Sequence, residues 1–364
     1  MGAVVVALAG CDDPPVESGA HELAVTDSAG VRIVENPAEA LDRPLPWQVA
    51  DDPHLVLGSV DGEGPTNFTH LMGAFRLSDG RLVVLGGGDP VLALFDADGD
   101  FLRGMGGAGD GPGEWNSIGS IHREAGDTIV AHDPMGRALH RYDPEGEPAG
   151  SVRLDAPSRV TPLLATHFDG AGRLMIEGVQ MDAVAAQEIS GRHWITYDPA
   201  TGAPGPVVEV SGPSMSFAQG ADAEFRALRI VEPSRGGWSG LPAAAAGGGR
   251  FVTGEGEALT FREWDRQGGL VAEFRVEVPR EPDEEVTPAF RALHLDETGH
   301  LWVRAPGAGN HWWVVDPEGA VLGGVTLPVA GELLAVSEDE ILLRVVDEFD
   351  VPHLHLHHLD RERS

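Results

Sequence analysis

Apolar residues in this chain come in short runs, each closed by turn-forming residues, and the arrangement is clearest between Gly73 and Asp110. That stretch, GAFRLSDGRLVVLGGGDPVLALFDADGDFLRGMGGAGD, reads as two antiparallel hairpins. The first pairs AFRLS with RLVVL across Asp79-Gly80, and the second pairs VLALF with DFLRG across Ala97-Asp98-Gly99. Both turns carry residues that tolerate positive φ, so four short strands in a row are predicted.

The phrase recurs along the chain. Its second hairpin carries an apolar residue followed by Asp, usually with a Gly close behind: Phe95-Asp96 with Gly99, Tyr142-Asp143 with Gly146, Tyr197-Asp198 with Gly202, Trp264-Asp265 with Gly268, Val315-Asp316 with Gly319, and Leu359-Asp360. Its first hairpin carries an apolar pair or triplet beginning at Leu82, Ile129, Leu174, Phe251, Leu301 and Ile341. The interval from anchor to Asp is 14, 14, 24, 14, 15 and 19 residues in the six copies. Two independent markers thus keep nearly constant phase.

Four strands per repeat at a period of roughly 40 to 50 residues is the pattern of a β-propeller, whose small sheets must stack on one another to bury both faces. The expected fold is all-β, a six-bladed β-propeller with four antiparallel strands per blade. The sixth copy contributes only GELLAVS, EILLRVV and HLHLHHL before the chain stops, so a fourth strand must come from elsewhere. Moved by 47 places, Leu55 to Phe68 overlies Leu102 to Trp115, matching Leu55 with Leu102, Gly64-Pro65 with Gly111-Pro112, and Phe68 with Trp115. Residues 54 to 58 are therefore expected to pair with 353 to 359 and complete the last blade. The hairpin-like LAVTDSAGVRIVEN, Leu23 to Asn36, is the competing candidate for that closing strand.

Charge narrows the partners. Acidic residues number 58 against 25 basic ones, every one of which is Arg, for a formal net charge of −33. Such a surface repels nucleic acid and anionic lipid headgroups. The chain begins MGAVVVALAGC, too short an apolar run to span a bilayer but suited to the core of a signal peptide. Leu8-Ala9-Gly10-Cys11 resembles the bacterial lipobox, which implies lipidation of Cys11, the single cysteine of the chain. No Arg or Lys precedes the run, a departure that puts the translation start in question. The acidic, Pro-rich DDPPVESGAHEL that follows reads as a solvated tether. The expected organisation is a signal segment at 1-11, a tether and hairpin at 12-46, and the propeller at 47-364.

Gly111-Pro112-Gly113-Glu114-Trp115 follows the outer strand of the first blade, and DSAGVRIVEN opens the ordered part of the chain. Together they resemble the six-bladed propeller lipoproteins of bacteria, a family similar to NHL and TolB-like propellers. That resemblance covers nearly the whole chain and implies a lipid-anchored, extracytoplasmic protein of the bacterial cell envelope, periplasmic or surface-facing. Its motifs are architectural, so it implies a fold and an address rather than an activity. The Gly-rich loop itself is expected to be an inter-blade turn, because phosphate-cradling loops open a helix and a strand follows here.

Candidate binding positions fall in three groups. Two excursions, one after the second strand of blade three and one at 211-240, leave through junctions that open on the same face of a propeller. The second contains Met215, Phe217, Phe225 and Trp238, which offer apolar anchors for a partner, and its ADAEFRALRIV segment is expected to form a turn or two of helix. Seven residues before each first-hairpin anchor lie Phe75, His122, His167, Ala244, His294 and Leu334. Three imidazoles, His122, His167 and His294, would thus face a common axis as a candidate metal or anion site. Alternation along the last strand puts His353, His355 and His357 on one face as an alternative metal site.

Catalytic motifs are missing: the sequence has no GxSxG elbow, HExxH, P-loop or CxxC. No cofactor is predicted, although a divalent metal fits either His set. The expected function is a membrane-tethered binding or scaffold module for an envelope protein, peptide or glycan. The alternative is a metal-dependent hydrolase, lactonase or lyase working at the channel mouth.

Overall fold

The structure is a computed structural model. It describes residues 23–58, 64–86, 89–109, 111, 113–155, 160–168, 174–180, 188–189, 192–210, 215–219, 226–230, 243–254, 258–278, 289–307 and 310–361. Its strands form six blades, each an antiparallel sheet. Blade one is Leu71–Arg76, Leu82–Gly86, Leu92–Phe95 and Phe101–Gly104; blade two is Ser120–Arg123, Ile129–Asp133, Ala138–Tyr142 and Pro148–Arg153. Blade three is Val160–Phe168, Leu174–Gln180, Arg192–Tyr197 and Pro204–Val210; blade four is Ala243–Gly247, Arg250–Gly254, Leu259–Trp264 and Leu270–Val276. Blade five is Leu293–Leu295, Leu301–Arg304, His311–Val315 and Val321–Thr326; blade six is Glu332–Val336, Glu340–Val346 and Pro352–Asp360, completed by Leu55–Leu57. Each first strand touches the first strand of the next blade, and that of blade six touches that of blade one, so the ring closes.

The recurring Asp has its role in the turn between third and fourth strands. Asp96 Oδ1 accepts the backbone N–H groups of Asp98 and Asp100 at 3.0 and 2.8 Å, and Asp265 Oδ1 accepts those of Gln267 and Gly269 at 2.8 and 2.7 Å. Asp143 and Asp316 each accept an N–H four residues on, and Asp198 one two residues on, all at 2.8 Å. A carboxylate thereby satisfies donors that the tight turn would leave unpaired. The Gly that follows sits at positive φ in every one of these turns, from +72° to +90°.

Packing follows the period of two along each strand. Alternate side chains enter opposite gaps between blades, and each gap holds its own apolar core. Leu354 and Leu356 of blade six meet Leu71, Leu82 and Val84 of blade one. Trp312 enters the gap toward blade six while its neighbour Trp313 packs toward blade four. Two adjacent tryptophans so serve two different interfaces.

Closure is by the expected segment. Leu55, Val56 and Leu57 pair antiparallel with Leu356, His355 and Leu354, and Gln48–Val49 pairs with the far end of the same strand. A buried carboxylate pins the seam: Glu340 of blade six accepts both Arg76 Nε at 2.7 Å and Arg76 Nη2 at 2.9 Å from blade one, and lies 2.9 Å from His54 Nε2.

The hairpin Ala24–Ser28 with Val31–Asn36 forms as expected, but its destination was not legible. Val31–Asn36 adds in parallel to Leu270–Val276, the outer strand of blade four, so that blade carries six strands. The chain then crosses blade five, where Leu45 N–H donates to Gly324 O and Gly324 N–H to Arg43 O, both at 2.8 Å, before reaching blade six. Residues 31 to 57 thus run as a belt along the outer edges of blades four, five and six. Asn36 fastens its start, donating from Nδ2 to Gly319 O at 2.9 Å and accepting from Val321 N–H at 2.8 Å.

The segment expected to be helical is instead a strand. Arg226–Ile230 pairs with Met215–Gln219, and the latter with Glu188–Ile189 from the excursion of blade three. The two excursions therefore meet in one small sheet, which is the geometric reason that both had to leave from the same face.

Candidate functional site in the central channel

The first strands of the blades line an axial channel, and the residue facing it is set by pairing to the second strand. His122 lies opposite Val130, His167 opposite Met175, His294 opposite Trp302, and Phe75 opposite Val83, four equivalent positions. In blades four and six the register moves by one, and Ala245 and Ala335 take that place rather than Ala244 and Leu334. The cause is the same in both: the turn into the second strand has two residues, Gly248-Gly249 in blade four and Glu338-Asp339 in blade six, where blades one, two and five have three.

A cavity of about 580 Å³ occupies the channel toward the turns that join first and second strands, the face opposite the small extra sheet. Phe75, Ile121 and Leu334 give it apolar walls, Gly248 and Gly249 keep blade four low, and His122 and His294 supply imidazoles from opposite blades. His122 Nε2 lies 3.1 Å from Ser120 Oγ. His294 has no hydrogen-bond partner among the described residues. Burial drives its pKa down to about 4 against the opposing pull of Asp296, so the ring is neutral near pH 7. Of the three predicted imidazoles, two line this cavity. His167 occupies the matching backbone position in blade three.

One contact at this end was not foreseen. Arg123, at the end of blade two's first strand, reaches across the axis to Glu297 of blade five at 2.5 Å, and also donates to Arg76 O of blade one at 2.7 Å. Beneath it, Asp296 is 1% exposed and saturated, accepting from Trp302 Nε1 at 3.0 Å, Arg361 Nη2 at 2.9 Å, and the backbone N–H groups of Thr298 and His300. Burial opposes its ionisation, yet those donors hold it well below the usual carboxylate range. The ring stack of Arg361 on Trp47, 4.4 Å from the ring centroid, ties this network to the belt. The signal for the Arg123–Glu297 pair was present but indirect: both follow a channel His on blades that face each other across a six-fold ring.

The alternative His set serves the seam. His353 Nε2 lies 3.1 Å from Asp347 Oδ2, His357 Nδ1 lies 2.9 Å from Ala50 O, and neighbouring rings along the stripe are 6.4 and 6.0 Å apart. Two of the three are thus already engaged in fastening a turn and the belt. Burial, then His357 and His353, lowers the pKa of His355. Among the described residues no three His, Cys, Asp or Glu side chains gather as a metal-holding group. Met215 and Phe217 lie on a strand of the extra sheet, whereas Phe225, Trp238 and Cys11 lie outside the described residues.

The Gly-rich loop after blade one is an inter-blade turn, as its sequence predicts. Glu114 accepts from Gly111 N–H at 2.8 Å, and Tyr142 of blade two donates its hydroxyl to Gly113 O at 2.9 Å.

The profile of a family described as DUF5128, 6-bladed beta-propeller, matches residues 68–165, which hold blades one and two. No match is found among curated proteins. Among solved structures, a Bacteroides fragilis protein described as exported is 12% identical over 90% of this chain and 99% of its own, with a TM-score of 0.46. A DUF4221 member from Bacteroides vulgatus is 7% identical over 86% and 98% respectively, with a TM-score of 0.48. Virginiamycin B lyase from Staphylococcus aureus is 9% identical over 86% and 99%, with a TM-score of 0.44. With six antiparallel blades closed into one ring, this chain has the fold of a six-bladed β-propeller.

Proposed function

We propose that this protein is an extracytoplasmic binding module, held to a membrane of the bacterial envelope through Cys11, that takes a small ligand into its central channel. The observation that carries the reading is the cavity at His122 and His294. Its size falls in the range of about 300 to 1,000 Å³ usual for small-molecule sites, and it combines apolar walls with a few convergent polar groups. The tether rests on the lipobox-like Leu8-Ala9-Gly10-Cys11 and the acidic, Pro-rich segment after it. The net charge of −33 keeps nucleic acid off the list of partners.

Saturation-transfer NMR against a small-molecule library tests the channel. Hits that disappear in Leu334→Trp, which fills the cavity, support it; hits that persist move the site to another surface, such as the extra sheet. Divalent-metal-dependent turnover lost in the triple His122→Ala, His167→Ala, His294→Ala variant would replace the binding reading with the hydrolase or lyase one. For the tether, mass spectrometry of the membrane fraction should find an acylated Cys11, and Cys11→Ser should release the protein. Unchanged partitioning of that variant counts against it.

A further inference from the structure

Among the described residues, every formal charge that borders the channel cavity already has a partner. Arg123 is held by Glu297 at 2.5 Å and by Arg76 O at 2.7 Å. Glu124 receives two bonds from Arg141, at 3.1 and 2.9 Å. Asp296 is closed off by Arg361, Trp302 and backbone donors. What stays open to a ligand among the described residues is Phe75, Ile121, Leu334 and the imidazole edge of His294.

A charged guest would leave water for a cavity with no free counter-charge among the described residues, and uncompensated charge is expensive in such surroundings. An apolar body would lose little and gain contact with Phe75 and Leu334. One hydroxyl or amide would satisfy His294, whose neutral ring offers one donor and one acceptor.

Resting on the channel-binding reading, we infer that the cavity selects an uncharged ligand with an apolar body and a single hydrogen-bonding group directed at His294. The pairing of Arg123 with Glu297 contributes to that selectivity, since it removes from the wall the guanidinium that an anion would seek.

A matched set of probes tests the inference: 3-phenylpropanol, 3-phenylpropanoate and 3-phenylpropylammonium, titrated at neutral pH and about 0.15 M salt, where long-range attraction by the acidic surface is screened. The readout is the ring Cε1–H signal of His294, assigned by its loss in His294→Ala. The alcohol should shift it saturably, with an affinity at least about tenfold above either charged analogue. Alcohol binding followed by saturation-transfer NMR should weaken about fivefold or more in His294→Ala and vanish in the cavity-filling Leu334→Trp. A charged probe that binds as tightly as the alcohol overturns the ligand class while leaving channel binding intact. If none of the three moves the His294 signal, both readings fall.

Discussion

Replacing His132 by Leu should flatten the acid limb of the stability profile. His132 is 2% exposed in the gap between blades two and three, beside Val130 and Leu139, and its Nδ1 finds no hydrogen-bond partner among the described residues. Burial drives its pKa down from 6.5 to about 4, with Asp133 pulling weakly the other way. The folded state therefore binds that proton less readily than the unfolded chain. Stability is full above pH 6.5, falls as the pH drops from 6.5 toward 4, and levels off below. At about 1.4 kcal/mol per pKa unit, the loss reaches about 2.5 kcal/mol near pH 4.5 and about 3.5 kcal/mol once complete. Urea midpoints multiplied by m-values at about pH 7.5 and about pH 4.5 measure it. The difference between the two pH values should be smaller in His132→Leu than in the wild type by about 2.5 kcal/mol, whatever the absolute stabilities. Equal pH dependence in the two proteins would refute the reasoning.

Three further outcomes follow from the packing. Leu356→Ala, in the gap that closes blade six onto blade one, should cost about 2 to 5 kcal/mol by denaturant titration, because that side chain is fully buried. Glu340→Gln removes the charge shared by Arg76 and His54 across the seam, and should lower the unfolding temperature with a cost of about 1 to 3 kcal/mol. Gly126→Ala and Gly202→Ala both force a side chain into positive φ, at +74° and +72°, which alone costs about 1 to 2 kcal/mol. A Cβ at position 126 meets nothing within 4 Å, whereas one at 202 would collide with the Arg153 carbonyl oxygen. The second variant should be the worse by calorimetry, and equal effects would argue against the close approach.

Much of the architecture was readable because its signals are local. An Asp that accepts N–H groups two or four residues on needs only its own turn, so Asp96, Asp143, Asp198, Asp265 and Asp316 announce the first five blades from sequence. The closing strand was readable for a related reason: it still carries the outer-strand phrase found after blade one. Docking of Val31–Asn36 on blade four left no such trace, since a parallel pairing between segments more than two hundred residues apart imposes no spacing on either. Nor does local pattern fix the length of a turn, which is why the channel positions of blades four and six, whose turns are one residue shorter, came out one residue off. The channel floor was the hardest to foresee. His122 and His294 could be placed by equivalence, but Arg123 with Glu297 and Asp296 with Arg361 are pairs made by ring closure itself, visible only once opposite and adjacent blades are brought together.

The belt has a mechanical consequence. The chain enters the ring at the rim of blade four, well before the strand that completes the circle. Tension applied from the N-terminal side is met first by the hairpin of Ala24–Ser28 with Val31–Asn36, and next by the row of backbone pairings between Val31–Asn36 and Leu270–Val276. The joint at Leu55–Leu57 is therefore shielded from any load that the leading segment carries.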